Sequence, residues 1–289
     1  MKRLILIFLL TLPSINTLYS QSNWFWQQPV PTGNQLNSVK LINALTGYAA
    51  GYLGNVIKTT DGGLSWIQQA TPVSATLCAI ETIDDNTIIA AGDSGVIIRT
   101  TNGGDNWSLI HFLGSVNFFR MDFPVPDTGY AVGYPGVIFK STNRGLNWIQ
   151  QSSGTGNSLF SVNFLNANTG AAGGSAKIIL TTNGGLNWIN QNISFFPLDQ
   201  VVGISQLDAN TTLAIANPSN GTQFKTTNSG LNWVTTNLNI PLVGGTDLVR
   251  DMDFADLNTG IFVCDRGGIF KTTNSGDNWI RDSTFVPTN

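Results

Sequence analysis

Apolar residues in this chain come in short runs of three to five that alternate with polar positions and stop at Gly, Asn or Pro. The stretch 119–151 is representative. Phe119-Arg120-Met121-Asp122-Phe123 alternates, Tyr130-Ala131-Val132 follows an Asp-Thr-Gly turn, Val137-Ile138-Phe139-Lys140 follows Pro-Gly, and Trp148-Ile149-Gln150-Gln151 follows a polar loop. Alternation at a period of two, bounded by turn residues, predicts four short strands, here called A to D. The same order recurs six times, and no segment carries a 3.6-residue period, so the pattern predicts an all-β protein.

The recurrence is regular. TTDGGLSW ends at Trp66, TTNGGDNW at Trp107, STNRGLNW at Trp148, TTNGGLNW at Trp188, TTNSGLNW at Trp233 and TTNSGDNW at Trp279, at intervals of 40 to 46 residues. That spacing matches one four-stranded antiparallel blade of a β-propeller. In the first copy Thr59, Asp61, Gly63 and Trp66 let a hydroxyl and a carboxylate bond backbone N–H groups inside a tight loop between strands C and D, with Gly taking a conformation a Cβ opposes. Asn102, Asn143, Asn183, Asn228 and Asn274 fill the acid's place in the other copies. Each Trp is expected to open strand D and to pack against its hairpin or the neighbouring blade.

Counted this way the blades cover about 36–69, 76–110, 116–151, 158–191, 200–236 and 248–282, a single propeller domain over 21–289. Trp24-Phe25-Trp26-Gln27-Gln28 resembles another strand D, with Trp26 lying 40 residues before Trp66. The last copy already has its own outer strand. Either six blades carry one spare edge strand, or a seventh blade is incomplete; six is the favoured count.

Composition narrows the function. Of 289 residues only 11% are charged, the formal charge is −3, and there is one His and one Glu. The footprint of a nucleic-acid binder is missing. Zinc chemistry lacks ligands, and a Ser-His-Asp triad would require His111, expected at the surface after strand D of the second blade. Cys78 and Cys264 fall in distant blades and are expected to be buried thiols without a disulfide. No cofactor and no metal are expected. At the N-terminus Lys2-Arg3 precede the apolar run Leu4 to Leu12, too short to span a bilayer, and Leu18-Tyr19-Ser20 offers a cleavage site. Residues 1–20 therefore read as a signal peptide, and the mature chain as secreted, with no transmembrane segment.

The Ser/Thr-x-Asp-x-Gly-x-x-Trp motif resembles the Asp box of BNR-repeat propellers, the superfamily that includes sialidases, sortilin-like receptors and photosystem II assembly factors. Tyr48-Ala49-Ala50-Gly51 leading to Lys58, and Tyr130-Ala131-Val132-Gly133 leading to Lys140, are most similar to the Ycf48/Hcf136 type. That resemblance implies a non-catalytic, monomeric platform whose partner is a protein, in the manner of an assembly factor, or alternatively a glycan at a cell surface. Asparagine in five boxes leaves them little charge with which to hold a metal.

Propeller geometry, implied by the resemblance, puts strand A around a central channel. Aligning Val39, Ile80, Met121, Val162, Ile204 and Met252 on a buried face leaves two rings of opposite phase: Lys40, Glu81, Asp122, Asn163, Ser205 and Asp253, and Ser38, Ala79, Arg120, Ser161, Gly203 and Asp251. Their charged members, Lys40, Glu81, Arg120, Asp122, Asp251 and Asp253, are the candidate ligand-facing residues, with internal ion pairs such as Arg120 to Asp122 or a neighbour as the plain structural reading. Glu81 and Asp122 could present two carboxylates across a cleft, as glycoside hydrolysis needs. The arginine cluster, tyrosine nucleophile and Arg-Ile-Pro signature of sialidases are not found. Lys58, Arg99, Lys140, Lys225 and Lys271 end strand C and could form a basic ring, while Tyr52, Tyr134 and Arg266 are candidate partner contacts in B–C turns.

Overall fold

The computed structural model describes residues 32–195, 198–217, 221–238, 248–265 and 267–282. Six four-stranded antiparallel sheets follow one another as the blades of a β-propeller, each with its strands in sequence order. Blade 1 holds Leu36–Leu41, Gly47–Gly51, Val56–Thr59 and Ile67–Gln69, and blade 2 holds Leu77–Thr82, Ile88–Gly92, Ile97–Thr100 and Ser108–His111. Blade 3 is Asn117–Val125, Thr128–Tyr134, Ile138–Ser141 and Ile149–Gln151; blade 4 is Leu159–Phe164, Gly170–Gly174, Lys177–Thr181 and Ile189–Asn190. Blade 5 comprises Gln200–Gln206, Thr212–Asn217, Thr222–Thr226 and Val234–Asn237, and blade 6 Val249–Phe254, Gly260–Cys264, Ile269–Thr272 and Ile280–Arg281. The expected extra strand at 24–28 and the expected signal peptide lie outside the described residues.

All six boxes fold alike. Thr59 Oγ1 accepts the amides of Asp61 and Gly63 and donates to Asp61 Oδ1, which in turn accepts the amide of Ser65 at 2.9 Å. Asn183 does the same work without a charge, its Oδ1 accepting from the amide of Asn187 at 3.0 Å beside Thr181. The turn therefore needs an acceptor oxygen at this position rather than an anion. Strand D starts one residue after each Trp, not on it, because the indole closes the turn. Trp107 and Trp148 are buried, and edge-on contacts join Phe123 to Trp148, Phe164 to Trp188 and Phe254 to Trp279.

Strand B is the tightest layer, and small residues explain why. A Cβ on Gly92 would lie 1.9 Å from the carbonyl oxygen of Thr76, and one on Gly133 would lie 1.7 Å from that of Asn117. The incoming chain crosses the end of strand B backbone to backbone, so the Gly closing each Tyr-Ala-x-Gly string is sterically required. Between blades the packing is apolar. Five buried clusters join blade 1 to 2, 2 to 3, 3 to 4, 4 to 5 and 5 to 6, as with Tyr48 and Val56 against Leu77, Ile88 and Trp107.

Polar staples run along the same seams. Lys58 Nζ donates to the carbonyl of Gly103 at 2.8 Å, Lys140 Nζ to Gly184 at 2.8 Å, and Arg99 Nε to Arg144 at 2.9 Å, in each case a box carbonyl of the following blade. Lys225 Nζ reaches Asp277 Oδ1 of blade 6 at 2.6 Å. Of the residues read as a basic ring, Lys58, Arg99, Lys140 and Lys225 thus point from blade to blade and do not converge, while Lys271 is exposed. Leu180 breaks the series, and a groove of about 360 Å³ opens between blades 4 and 5 at that place.

Candidate functional site: the channel and the loop face

The six A strands converge on one cavity of about 180 Å³, lined by both polar rings. At roughly 30 Å³ per water, that holds about six waters or one side chain, well below the 300 Å³ or more of an ordinary small-molecule pocket. Lys40, Glu81, Arg120, Asp122, Asp251 and Asp253 all line it. Strand A alternation is what places them there.

The charges are engaged with one another. Lys40 Nζ of blade 1 meets Glu81 Oε2 of blade 2 at 2.9 Å. Arg120 is paired not with Asp122, two residues along its own strand, but with Asp251, Nη2 to Oδ2 at 3.0 Å, from blade 3 across the cavity to blade 6. The reach of a guanidinium across the narrow channel decides this. Asp122 turns sideways instead, and its Oδ2 accepts the amide of Phe164 in blade 4 at 2.6 Å. Asn163 repeats that link one blade on, accepting the amide of Gln206 at 2.8 Å.

Burial controls the protonation of these groups. It pushes the Asp122 carboxyl up to about 7, with the neighbouring Glu81 charge adding to the effect and the Phe164 amide opposing it. It also raises Glu81, against the pull of Lys40. Lys40 is opposed by its own burial, yet the Glu81 carboxylate outweighs this and raises it. Glu81 and Asp122 feel each other electrostatically but are bonded to different partners, Lys40 and the Phe164 backbone. Neither oxygen pair faces a shared substrate-sized cleft.

Other sequence expectations resolve plainly. His111 is not a surface residue beyond strand D; it ends that strand, half-buried, with its ring edge-on to Phe139 at 5.4 Å. Cys78 and Cys264 are not joined in a disulfide; Cys264 is buried but Cys78 is only half-buried, and burial pushes the Cys78 thiol up to about 11. Tyr48 and Tyr130 are buried staples whose hydroxyls donate to the carbonyls of Gly103 and Ala167. No helix of the described residues is long and apolar enough to cross a membrane.

The B–C turns and D–A loops share one end of the propeller, as the bonds from Thr71 to Gly54 and from Ser153 to Gly136 require. Tyr52 and Tyr134 are exposed on this end, and Arg266 lies outside the described residues. Leu53 and Phe112, which the sequence pattern did not single out, are also exposed in loops of this end, so blades 1 to 3 each present a large apolar side chain there. The available signal was an aromatic residue directly after strand D, in a loop with no core to join.

The sequence model of the photosystem II assembly factor YCF48 matches residues 17–117. No curated protein matches in sequence. Among solved structures, YCF48 bound to D1 peptide aligns at 17% identity over 90% of this chain and 86% of that one, TM-score 0.70. YCF48 from Cyanidioschyzon merolae aligns at 19% identity over 90% and 89%, also TM-score 0.70. The N-terminal third of the chain thus matches the YCF48 sequence model, and the chain as a whole shares the β-propeller fold of these structures. An ancestral GH74 enzyme aligns at 21% identity and TM-score 0.70 over 90% of this chain, which spans only 40% of that one. At these identities the likeness is one of fold, and this fold is shared by YCF48 and a GH74 enzyme alike.

Proposed function

We propose that the protein is an exported, non-catalytic binding platform that takes a segment of a protein partner on its loop face, in the manner of an assembly factor. The observation that carries this reading is the state of the channel carboxylates. Glu81 is committed to Lys40, Asp251 to Arg120 and Asp122 to a backbone amide, in a cavity too small for an oligosaccharide. An acid and a nucleophile for glycoside hydrolysis must instead face a sugar ring from two sides. Tyr52, Leu53, Phe112 and Tyr134 supply the exposed apolar contacts a polypeptide ligand needs, and aromatic side chains dominate such contacts energetically. The fold shared with YCF48 bound to D1 peptide favours the same class of partner.

Calorimetric titration of the mature protein with the D1 peptide tests the reading, with Tyr52→Ala and Tyr134→Ala as loop-face variants. Saturable binding weakened tenfold or more by these variants supports it. The GH74 likeness favours one competing reading. Cleavage of xyloglucan or a sialoside, abolished by Glu81→Gln or Asp122→Asn, would replace the platform with an enzyme. Export is tested by N-terminal sequencing of the secreted chain, expected to begin at Gln21.

A further inference from the structure

Strands B and C of every blade share one cross-strand pair just before the box, and blade 4 alone has neither a tyrosine nor a cation in it. Tyr48 faces Lys58, Ile89 faces Arg99, Tyr130 faces Lys140, Leu213 faces Lys225 and Ile261 faces Lys271, but Ala171 faces Leu180. The missing atoms leave a groove. It measures about 360 Å³, twice the 180 Å³ of the channel cavity, which brings it into the range of an ordinary ligand pocket. Among the described residues, no charged one lines it.

The groove keeps the seat of the missing ammonium. At the matching seams Lys58 Nζ donates to the carbonyl of Gly103 and Lys140 Nζ to that of Gly184, each at 2.8 Å. Ser229 holds that box position in blade 5 and lines the groove. Its turn is wound the same way, with φ at 57° for Ser229, 58° for Arg144 and 68° for Gly184. The amide of Gly230 donates to Thr226 Oγ1, as that of Gly185 does to Thr181 Oγ1. The Ser229 carbonyl is therefore presented to the groove as the Gly184 carbonyl is presented to Lys140. Leu180 has no donor to give it. It lies instead against the next glycine, with Cδ1 2.8 Å from the place of a Cβ on Gly230.

We propose that this groove binds a lysine side chain of a partner polypeptide, with the ammonium on the Ser229 carbonyl and the stem along Leu180, Ile189 and Leu231. The seat of the tyrosine is closed, since Ala171 is fully buried. The seat of the lysine is open to water, where Ile189 and Leu231 are 62% and 82% exposed. A four-carbon stem covers apolar surface while its head finds an acceptor, so one side chain suits the apolar wall and the carbonyl alike. Lys140 shows that a box carbonyl holds an ammonium in this setting. The chain carries a formal charge of −3, which draws a basic segment toward it. Residues of the boxes and the A–B turns build this site, at the end of the propeller opposite the B–C turns, so it is separate from the loop face.

The test uses the full mature chain, isotope-labelled for amide NMR, and two capped tripeptides, Gly-Lys-Gly and Gly-norleucine-Gly, which differ only in the ammonium. The lysine peptide is expected to shift the amides of Ser229, Gly230 and Leu231 saturably, with a Kd of about 1–10 mM, and the norleucine peptide to bind at least tenfold more weakly. Leu180→Lys supplies the ammonium from within the chain and should abolish these shifts. Leu231→Lys, at an exposed box tip, should weaken them at least tenfold by repulsion, and Tyr52→Ala on the loop face should leave them unchanged. Equal binding of the two peptides, saturable shifts only outside the groove, or binding that survives both lysine variants overturns the proposal. So does the absence of saturation by about 50 mM peptide. Loss of the shifts in Tyr52→Ala would put the lysine on the loop face and overturn it as well.

Discussion

Arg120 in blade 3 and Asp251 in blade 6 meet at 3.0 Å across the channel, joining strands from two blades that do not touch along their sheets. The Asp251 side chain is 57% exposed, so water screens the pair and its worth is modest. Arg120→Ala should lower stability by about 1 kcal/mol, or roughly 2–4 °C in Tm for a domain of this size. A double-mutant cycle with Asp251→Ala that returns no coupling would show that the pair adds nothing to the ring.

Asp122 gives the stability an unusual pH dependence. Its carboxyl is held near 7 in the fold, against about 3.9 in an unfolded chain, so the folded state binds the extra proton between those values. Stability then falls as pH rises from about 4 to 7, by an amount on the order of a few kcal/mol from this group. Asp122→Asn should flatten that slope and leave the protein more stable at pH 8, since an amide oxygen can still accept the Phe164 amide, as Asn163 does for Gln206. Urea titrations at pH 5 and pH 8 measure both quantities; an undiminished slope in the variant argues against Asp122 as its source.

Lys140 and Lys271 occupy the same place in different blades. Lys140 donates to the Gly184 carbonyl and stacks over the Tyr130 ring at 5.4 Å, whereas Lys271 is exposed. Lys140→Met should cost about 1–2 kcal/mol, since it leaves a part-buried carbonyl with one partner fewer. Lys271→Met should change stability by less than about 0.5 kcal/mol. Equal losses in thermal melts would mean that the staples contribute nothing.

Gly92→Ala should be among the most damaging single substitutions in the protein. The added Cβ would sit 1.9 Å from the Thr76 carbonyl oxygen, where backbone rather than a flexible side chain must move. A loss of about 3 kcal/mol or more is expected. Gly33→Ala, where nothing lies within 4 Å of a Cβ, serves as the silent control in the same melts.

Much of this was legible in the chain itself. Hydroxyl, Asp or Asn, Gly and Trp at fixed spacing specify the box turn locally, because the bonds made by its hydroxyl and by its Asp or Asn oxygen span four residues or fewer, and the 40-residue interval then implies a blade. Alternation in strand A likewise told which residues line the channel. It could not tell their partners. The distance from Arg120 to Asp122 along one strand is set by the chain, but its distance to Asp251 is set by the two intervening sheets of blades 4 and 5.

What the sequence alone determined is therefore the repeating unit: its strands, its turns, its Gly positions and the side each residue faces. Tertiary structure decided the relations between units. These include which carboxylate takes which cation, that Lys58 and Lys140 bind box carbonyls of the next blade, and that His111 packs on Phe139. The physical reason is one of range. Turn hydrogen bonds and strand alternation act over a few residues and repeat with the sequence, whereas ion pairs, staples and seams depend on how blades are stacked around the axis.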